Sequence, residues 1–394
     1  MTASAAHAED SPFSLTASQS FKHDSNFSRN SLEQSENVST TTLRGDLNKD
    51  YGRQNYRAGV AIGAQRYTHF KELKNDNKDA NLGFTSGIAS NWVLSLGGAY
   101  SQNLNPIQNN NNGQARVTRN IRTYNDQNIA LQYGNGGRWA IVGQLDGNRV
   151  KYSDSRYFYQ NANQTVQGLK AIYNSTDLLN FGLGLRLVNT RYPATNNEEL
   201  SDRNIDFSVN SRISGLSSFY GMVSRRQGHY KNADRNTSGW TGQAVWNYTP
   251  RGLVSYTASL SRSTGADRYQ QGVSSFADLL SGVQSYDINY DTTTTSANLN
   301  ASLKATGKIT VNAGYTFTKY DLSRVQTPQG SQVFSDRANI TNSHYRGMTL
   351  GVNYAVLRNL NLGCAYTDYK QTPDSERVAY QGNQVDCKVS YTLD

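Results

Sequence analysis

The residues that could do chemistry are dispersed along this chain. Its five histidines (His7, His23, His69, His229 and His344) stand far apart, and none shares with another the spacing by which one element holds a metal. No G-x-S-x-G elbow, phosphate-cradling glycine loop or H-E-x-x-H pair occurs, so acyl transfer, nucleotide binding and zinc hydrolysis find no carrier. The stretch NDNKD at residues 75–79 lacks the sixth-position glycine and twelfth-position glutamate of a calcium loop and reads as a solvated loop. The expectation is a non-enzyme without cofactor or metal. What remains is charge with a period of two. Arg44, Arg57, Arg122, Lys170, Arg186, Arg212, Lys304 and Lys388 fall on one face of alternating segments, and Asp46, Asp126, Asp146, Asp206 and Asp386 fall on the same face. Charges that line a wet path decide which ions or polymers enter it. The competing reading is pairing, since Arg186 and Asp206 lie near one another across a hairpin and would neutralise each other.

The elements that must position these charges are strands. In residues 181–192, FGLGLRLVNTRY, Phe181, Leu183, Leu185 and Leu187 share one face, and Gly182, Gly184, Arg186 and Thr190 share the other. A soluble strand would cover such an apolar row with a second layer. Here the alternation recurs along the chain with nothing to cover it, which fits a closed transmembrane β-barrel, apolar outside and polar within. The fold class is therefore all-β. About eighteen antiparallel strands are expected in a single barrel over residues 11–394, and sixteen also fit. Short turns such as residues 134–137, GNGG, alternate with long polar loops, among them residues 71–79, 264–286 and 321–338. Residues 264–286 form the longest interruption, with a helical turn expected at 274–281, and are the candidate for an in-folded loop. Strand eleven, over residues 219–230, can be read in either parity. Tyr56, Trp92, Trp139, Phe181, Trp240, Tyr248, Tyr315, Phe317 and Tyr354 concentrate where strands meet turns, as interfacial girdles do.

Composition agrees. Only 36% of the 394 residues are hydrophobic, yet 26 Tyr, 12 Phe and 4 Trp exclude the aromatic-poor composition of disorder. No apolar run approaches the roughly 20 residues of a membrane helix, so any span is made by strands. The net charge of +9 is spread without a basic arm, which argues against nucleic acid; acidic polymers or lipopolysaccharide phosphates are expected partners, and solvated loops are the alternative account of the charge. Residues 1–10 end in Ala6-His7-Ala8 before Glu9-Asp10, which reads as the remnant of an export signal, with an unstructured N-terminus as the alternative. Export would place the barrel in the bacterial outer membrane. Cys364 and Cys387 fall on the outer faces of neighbouring strands. They are either a disulfide across the closing hairpin or two small apolar thiols facing lipid.

The segment DSNFSRNS (Asp24 to Ser31), followed by VSTTTLRGDLNKDYGRQNY (Val38 to Tyr56), resembles the opening of the EpsL-type outer-membrane proteins of exopolysaccharide gene clusters. The likeness covers the first quarter of the chain in residues and the rest in pattern. It implies a pore through which a new polysaccharide leaves the cell, serving biofilm formation beside a periplasmic polysaccharide export protein and an inner-membrane synthase complex. The ending Tyr391-Thr392-Leu393-Asp394 departs from the terminal aromatic residue of many bacterial barrels. The alternative function is a general or substrate-specific diffusion porin for uptake, and the in-folded loop is the mark that would favour it.

Overall fold

The computed structural model describes residues 11–105, 117–134, 136–194, 197–232, 235–272, 285–329, 336–373 and 377–393. Residues 1–10, which carry the expected export remnant, and the expected helical turn at 274–281 lie outside this set. Eighteen antiparallel strands follow one another around a single closed sheet. In chain order they are β1 (Phe13–Asp24), β2 (Glu36–Tyr51), β3 (Gln54–Tyr67), β4 (Asn75–Ala89), β5 (Trp92–Leu104) and β6 (Ile121–Tyr133). Next come β7 (Trp139–Tyr152), β8 (Ala162–Thr176), β9 (Leu179–Tyr192), β10 (Glu198–Ser214), β11 (Ser217–Tyr230) and β12 (Arg235–Tyr248). The last are β13 (Val254–Gly272), β14 (Ser285–Lys304), β15 (Ile309–Gln329), β16 (Asp336–Ala355), β17 (Leu360–Gln371) and β18 (Tyr380–Leu393). β1 closes the ring on β18, from Leu15 opposite Leu393 to Asp24 opposite Gln384. No helix among the described residues is long and apolar enough to cross a membrane.

Register follows from alternation, because a slip of one residue would exchange every lipid-facing side chain for a lumen-facing one. Leu183, Leu185 and Leu187 are 60%, 62% and 47% exposed, while Arg186, between them, turns inward to Asp206. Outward leucines, isoleucines and aromatics form a belt around the ring. Closing β1 on β18 removes the free sheet edges that a span through lipid could not tolerate. The chain is a β-barrel of the bacterial outer membrane. The connections are short at one end, for instance residues 52–53, 90–91 and 215–216, and longer at the other. Short turns belong to the periplasmic side, so the loops after odd-numbered strands are extracellular. At the turn before β7, Gly134 has φ +92°, and a Cβ there would lie 2.2 Å from the Trp139 carbonyl oxygen, so only glycine fits.

Three expected loops are partly strand. β4 begins at Asn75, so NDNKD belongs to the ladder. Residues 264–272 and 285–286 extend β13 and β14, and residues 321–329 and 336–338 extend β15 and β16. These four strands have 19, 20, 21 and 20 residues and rise beyond their neighbours. They extend past the strand ends expected from alternation alone.

Candidate functional site: the lumen and its extracellular mouth

The register turns Arg44, Arg57, Arg122, Lys170, Arg186, Arg212, Lys304 and Lys388 to the lumen, with Asp46, Asp126, Asp146, Asp206 and Asp386. They are distributed around the ring and do not converge on one site. Arg44 pairs with Asp46 at 2.7 Å on its own strand. Arg186 pairs with Asp206 at 2.9 Å across β9 and β10, and Ser224 also donates to Asp206. Lys388 and Asp386 share β18, and Asp386 stands opposite Lys22 of β1. Asp126 and Asp146 are near neighbours on β6 and β7, and Arg122 stacks 5.4 Å from the Tyr124 ring.

Sequence reasoning missed a further buried pair, Arg226 with Asp202 at 2.9 Å, whose side chains are 10% and 9% exposed. The signal was present: Asp202 stands two residues before the expected start of its strand, and strand eleven had no decided parity. With β11 in register, Asn204 is opposite Arg226 and Asp206 opposite Ser224, which brings Asp202 and Arg226 to one face.

The remaining wall, β13 to β18 with β1, carries Lys304, Lys388, Asp386 and Lys22 among many hydroxyls and amides. A cavity of about 690 Å³ is lined there by Thr257, Asn300, Asn312, Asn353, Asp386 and Lys388 among others. Side chains bond one another across the ladder: Thr316 to Asn298 at 2.9 Å, Thr349 with Thr367 at 3.0 Å and Thr16 with Thr392 at 2.9 Å. Such cross-strand pairs stiffen the sheet and leave hydroxyls and amides facing water. On the outside of this wall Cys364 and Cys387 are direct register partners, joined as a disulfide with Cα atoms 4.1 Å apart.

The mouth is narrowed by loops bound to the inner wall. Asp24, fully buried, accepts two bonds from Arg29 at 3.0 and 2.8 Å, one from the Asn26 amide at 3.2 Å and one from the Tyr369 hydroxyl. The Arg29 guanidinium lies 4.0 Å from the Tyr369 ring centre. Asn26 also donates to the Gln381 carbonyl at 2.9 Å. The segment DSNFSRNS is thus a latch tying the first extracellular loop to β17 and β18. A Cβ at Gly382 would meet the Tyr369 hydroxyl at 2.5 Å, so the bare backbone there makes room for the ring.

Beside the latch, Phe27 stacks on Phe70 and touches Tyr67, and these surround buried Leu73 and the inward Val38. Glu36, also fully buried, accepts the backbone amides of Asn37 (2.7 Å), Thr68 (2.9 Å), His69 (3.0 Å) and Phe70 (2.7 Å). It holds the 68–74 loop as an anion holds a nest of amides. Glu198, at the corresponding end of β10, accepts from the Asn232 amide at 2.8 Å.

Across the mouth, a 3-10 turn at Ser155–Gln160 in the loop after β7 reaches β13, five strands beyond β8. Asp154 caps that turn, and its hydrogen bond from Arg156 holds the carboxyl below the usual carboxylate range, against some desolvation. The inward-reaching loops described are therefore 25–35, 68–74 and 153–161. The described parts of 264–286, the expected constriction, rise as strand instead.

Among the described residues no group of His, Cys, Asp or Glu could hold a metal ion. No family model matches the chain, and no curated protein does. Solved structures with a similar course include OccK5 (OpdH) of Pseudomonas aeruginosa, at 12% identity, 97% of each chain and a TM-score of 0.48. OccAB3 of Acinetobacter baumannii follows at 11% identity, 97% of this chain and 98% of that one, with a TM-score of 0.48. The siderophore receptor PirA of P. aeruginosa has 9% identity, 97% and 80% coverage and a TM-score of 0.41. Likeness at this level says nothing about solute or direction.

Proposed function

We propose that the barrel is a passive diffusion channel for uncharged or weakly charged hydrophilic solutes. The observation that carries this reading is the division of the lumen. Its charged residues include mutually neutralising pairs (Arg44–Asp46, Arg186–Asp206, Arg226–Asp202), and its β13–β18 wall offers hydroxyls and amides. Neutral hydrogen-bonding groups replace the hydration of a polar solute without excluding either ion sign. An eighteen-strand ring leaves an aqueous path that an eight-strand ring would fill with side chains. Loops 25–35, 68–74 and 153–161 at the mouth supply size selection of the kind a diffusion channel uses.

A second reading, export of an exopolysaccharide, draws on one observation. Tyr345 and Tyr380 are half-buried on the inner wall at the mouth, beside the buried Tyr369 whose face Arg29 covers. Aromatic faces beside hydrogen-bonding walls suit sugar rings. Planar-bilayer recording separates the two. The diffusion reading expects open-channel current that small sugars reduce in proportion to their size and long glycans leave unchanged. Block by long glycans at low concentration, together with loss of surface polysaccharide on gene deletion, favours export instead.

A further inference from the structure

The ring is stitched unevenly. β12 and β13 pair only from Gly242 opposite Arg262 to Tyr248 opposite Tyr256, although both strands continue outward. Above that point β12 stays with β11, and β13 stays with β14. The strands part at Gly242, where a Cβ would sit 2.5 Å from the Met222 carbonyl oxygen, so the backbones approach as only glycine allows. Two arginines cross the seam in place of ladder bonds. From inside, Arg226 donates to the Thr264 hydroxyl at 2.7 Å. From outside, Arg262 donates to the Trp240 carbonyl at 3.2 Å.

The outer surface at this seam carries an unusual set of residues for a wall that meets lipid. Arg225, register partner of both Ile205 and Trp240, points outward with its guanidinium 5.3 Å from the Trp240 ring. Arg203 points outward on β10, and Arg262 on β13, in the row of Gly242 and Val223. Ile205 stands beside Arg225, Val223 lies in the row of Arg262, and Leu260 is next below Arg262 on the same outer face, exposed at 56%, 43% and 52%. The described outward residues of β10 to β13 include one carboxylate, Glu199, and Lys231 occupies it at 2.6 Å. Of the five N–H donors of Arg262, the contacts described use two, to the Trp240 carbonyl and, at 3.5 Å, the Thr295 hydroxyl.

Three guanidiniums without a carboxylate, at the upper rim of an apolar belt and beside an indole, match a lipid whose headgroup is anionic and whose chains run down the wall. From this geometry we infer that Arg225 and Arg262, with Arg203 beside them, bind the phosphate of a phosphorylated outer-leaflet lipid next to Trp240, and that the lipid closes the β12–β13 seam from outside. The chains lie along Ile205, Val223 and Leu260. This site is on the outer wall, and its occupancy does not depend on what passes through the lumen.

The test uses the full-length barrel in uncharged detergent micelles, with bisphosphorylated lipid A as the probe and native mass spectrometry as the readout. The expected result is retained lipid A, with its dephosphorylated form at least about tenfold weaker and the R225Q/R262Q variant weakened to a similar degree. R225Q alone removes no hydrogen bond of the seam. It is expected to lose several-fold in lipid affinity while keeping the heat-modifiable gel mobility of a folded barrel. Equal retention of lipid A by both variants overturns the inference, and so does equal retention of the dephosphorylated form. Displacement of lipid A by inorganic phosphate at comparable concentration also overturns it, since that is the behaviour of a free-anion site.

Discussion

Replacing Glu36 by glutamine tests whether the mouth is built by the buried carboxylate. In the native barrel one carboxylate oxygen takes the amides of Asn37 and Thr68, the other takes Phe70, and His69 is shared between them. A glutamine side chain keeps the shape but turns one oxygen into a donor, so it must leave at least the Phe70 amide facing an NH2 group. A buried amide without an acceptor costs about 1–3 kcal/mol. The surviving bonds lose their charge assistance, which adds about 1 kcal/mol. The 68–74 loop should therefore open more easily by about 2–4 kcal/mol, which corresponds to roughly thirty- to thousand-fold faster hydrogen exchange at Thr68 to Leu73. The β2 and β3 ladder amides should keep their protection, because Glu36 lies above them. Exchange measured by mass spectrometry on the barrel in micelles reports both regions. Unchanged exchange at residues 68–73 in E36Q would refute the assignment of Glu36 as the anchor of this loop.

Other perturbations read other parts of the account. Truncation in R186A leaves Asp206 facing the lumen without its guanidinium, with Ser224 still donating to it. A bare carboxylate is worth about 1 kcal/mol to a cation 4 Å away in water, or up to about fivefold local enrichment, so the reversal potential in a salt gradient should move toward cation preference. The disulfide of Cys364 and Cys387 closes a 23-residue separation, and a chain-entropy estimate gives it about 3 kcal/mol. The C364S/C387S barrel should accordingly lose its heat-modifiable mobility at lower temperature, as should the reduced wild type. Asp154 has a depressed pKa, so its contribution is present above the ordinary value of 3.8 and is lost as pH falls through its lower folded value. Below that window the turn at Ser155–Gln160 should loosen, seen as faster hydrogen exchange there, and D154N should show the same faster exchange at neutral pH.

Much of the wall was legible in sequence because lipid imposes a strict rule on it. Leu183, Leu185 and Leu187 had to share a face, and that alone placed Arg186 inward. The same rule ends where lipid ends. The outer parts of β13 to β16, residues 264–272, 285–286, 321–329 and 336–338, are held in the ladder though they read as loop. The mouth was illegible for another reason. The partners of Asp24 and Asn26 include Tyr369 and Gln381, distant in sequence, and Glu36 finds its donors at residues 68–70. No local pattern announces bonds of that separation. The DSNFSRNS segment did stand out, though its place in a loop latch came only from the register of the closing strands. Strand eleven lacked a clear parity because Met222 and Arg226 face the lumen while Val223 and Arg225 face outward, so each face is mixed.

The proposed diffusion channel needs an open aqueous path whose wall charges largely cancel. Single-channel recording of the purified barrel in planar bilayers tests it most directly. An open path should give stable, ohmic current steps with little preference between potassium and chloride, reduced by small sugars according to their size. A protein that inserts folded yet carries no current, or that passes one ion sign almost exclusively, would contradict it.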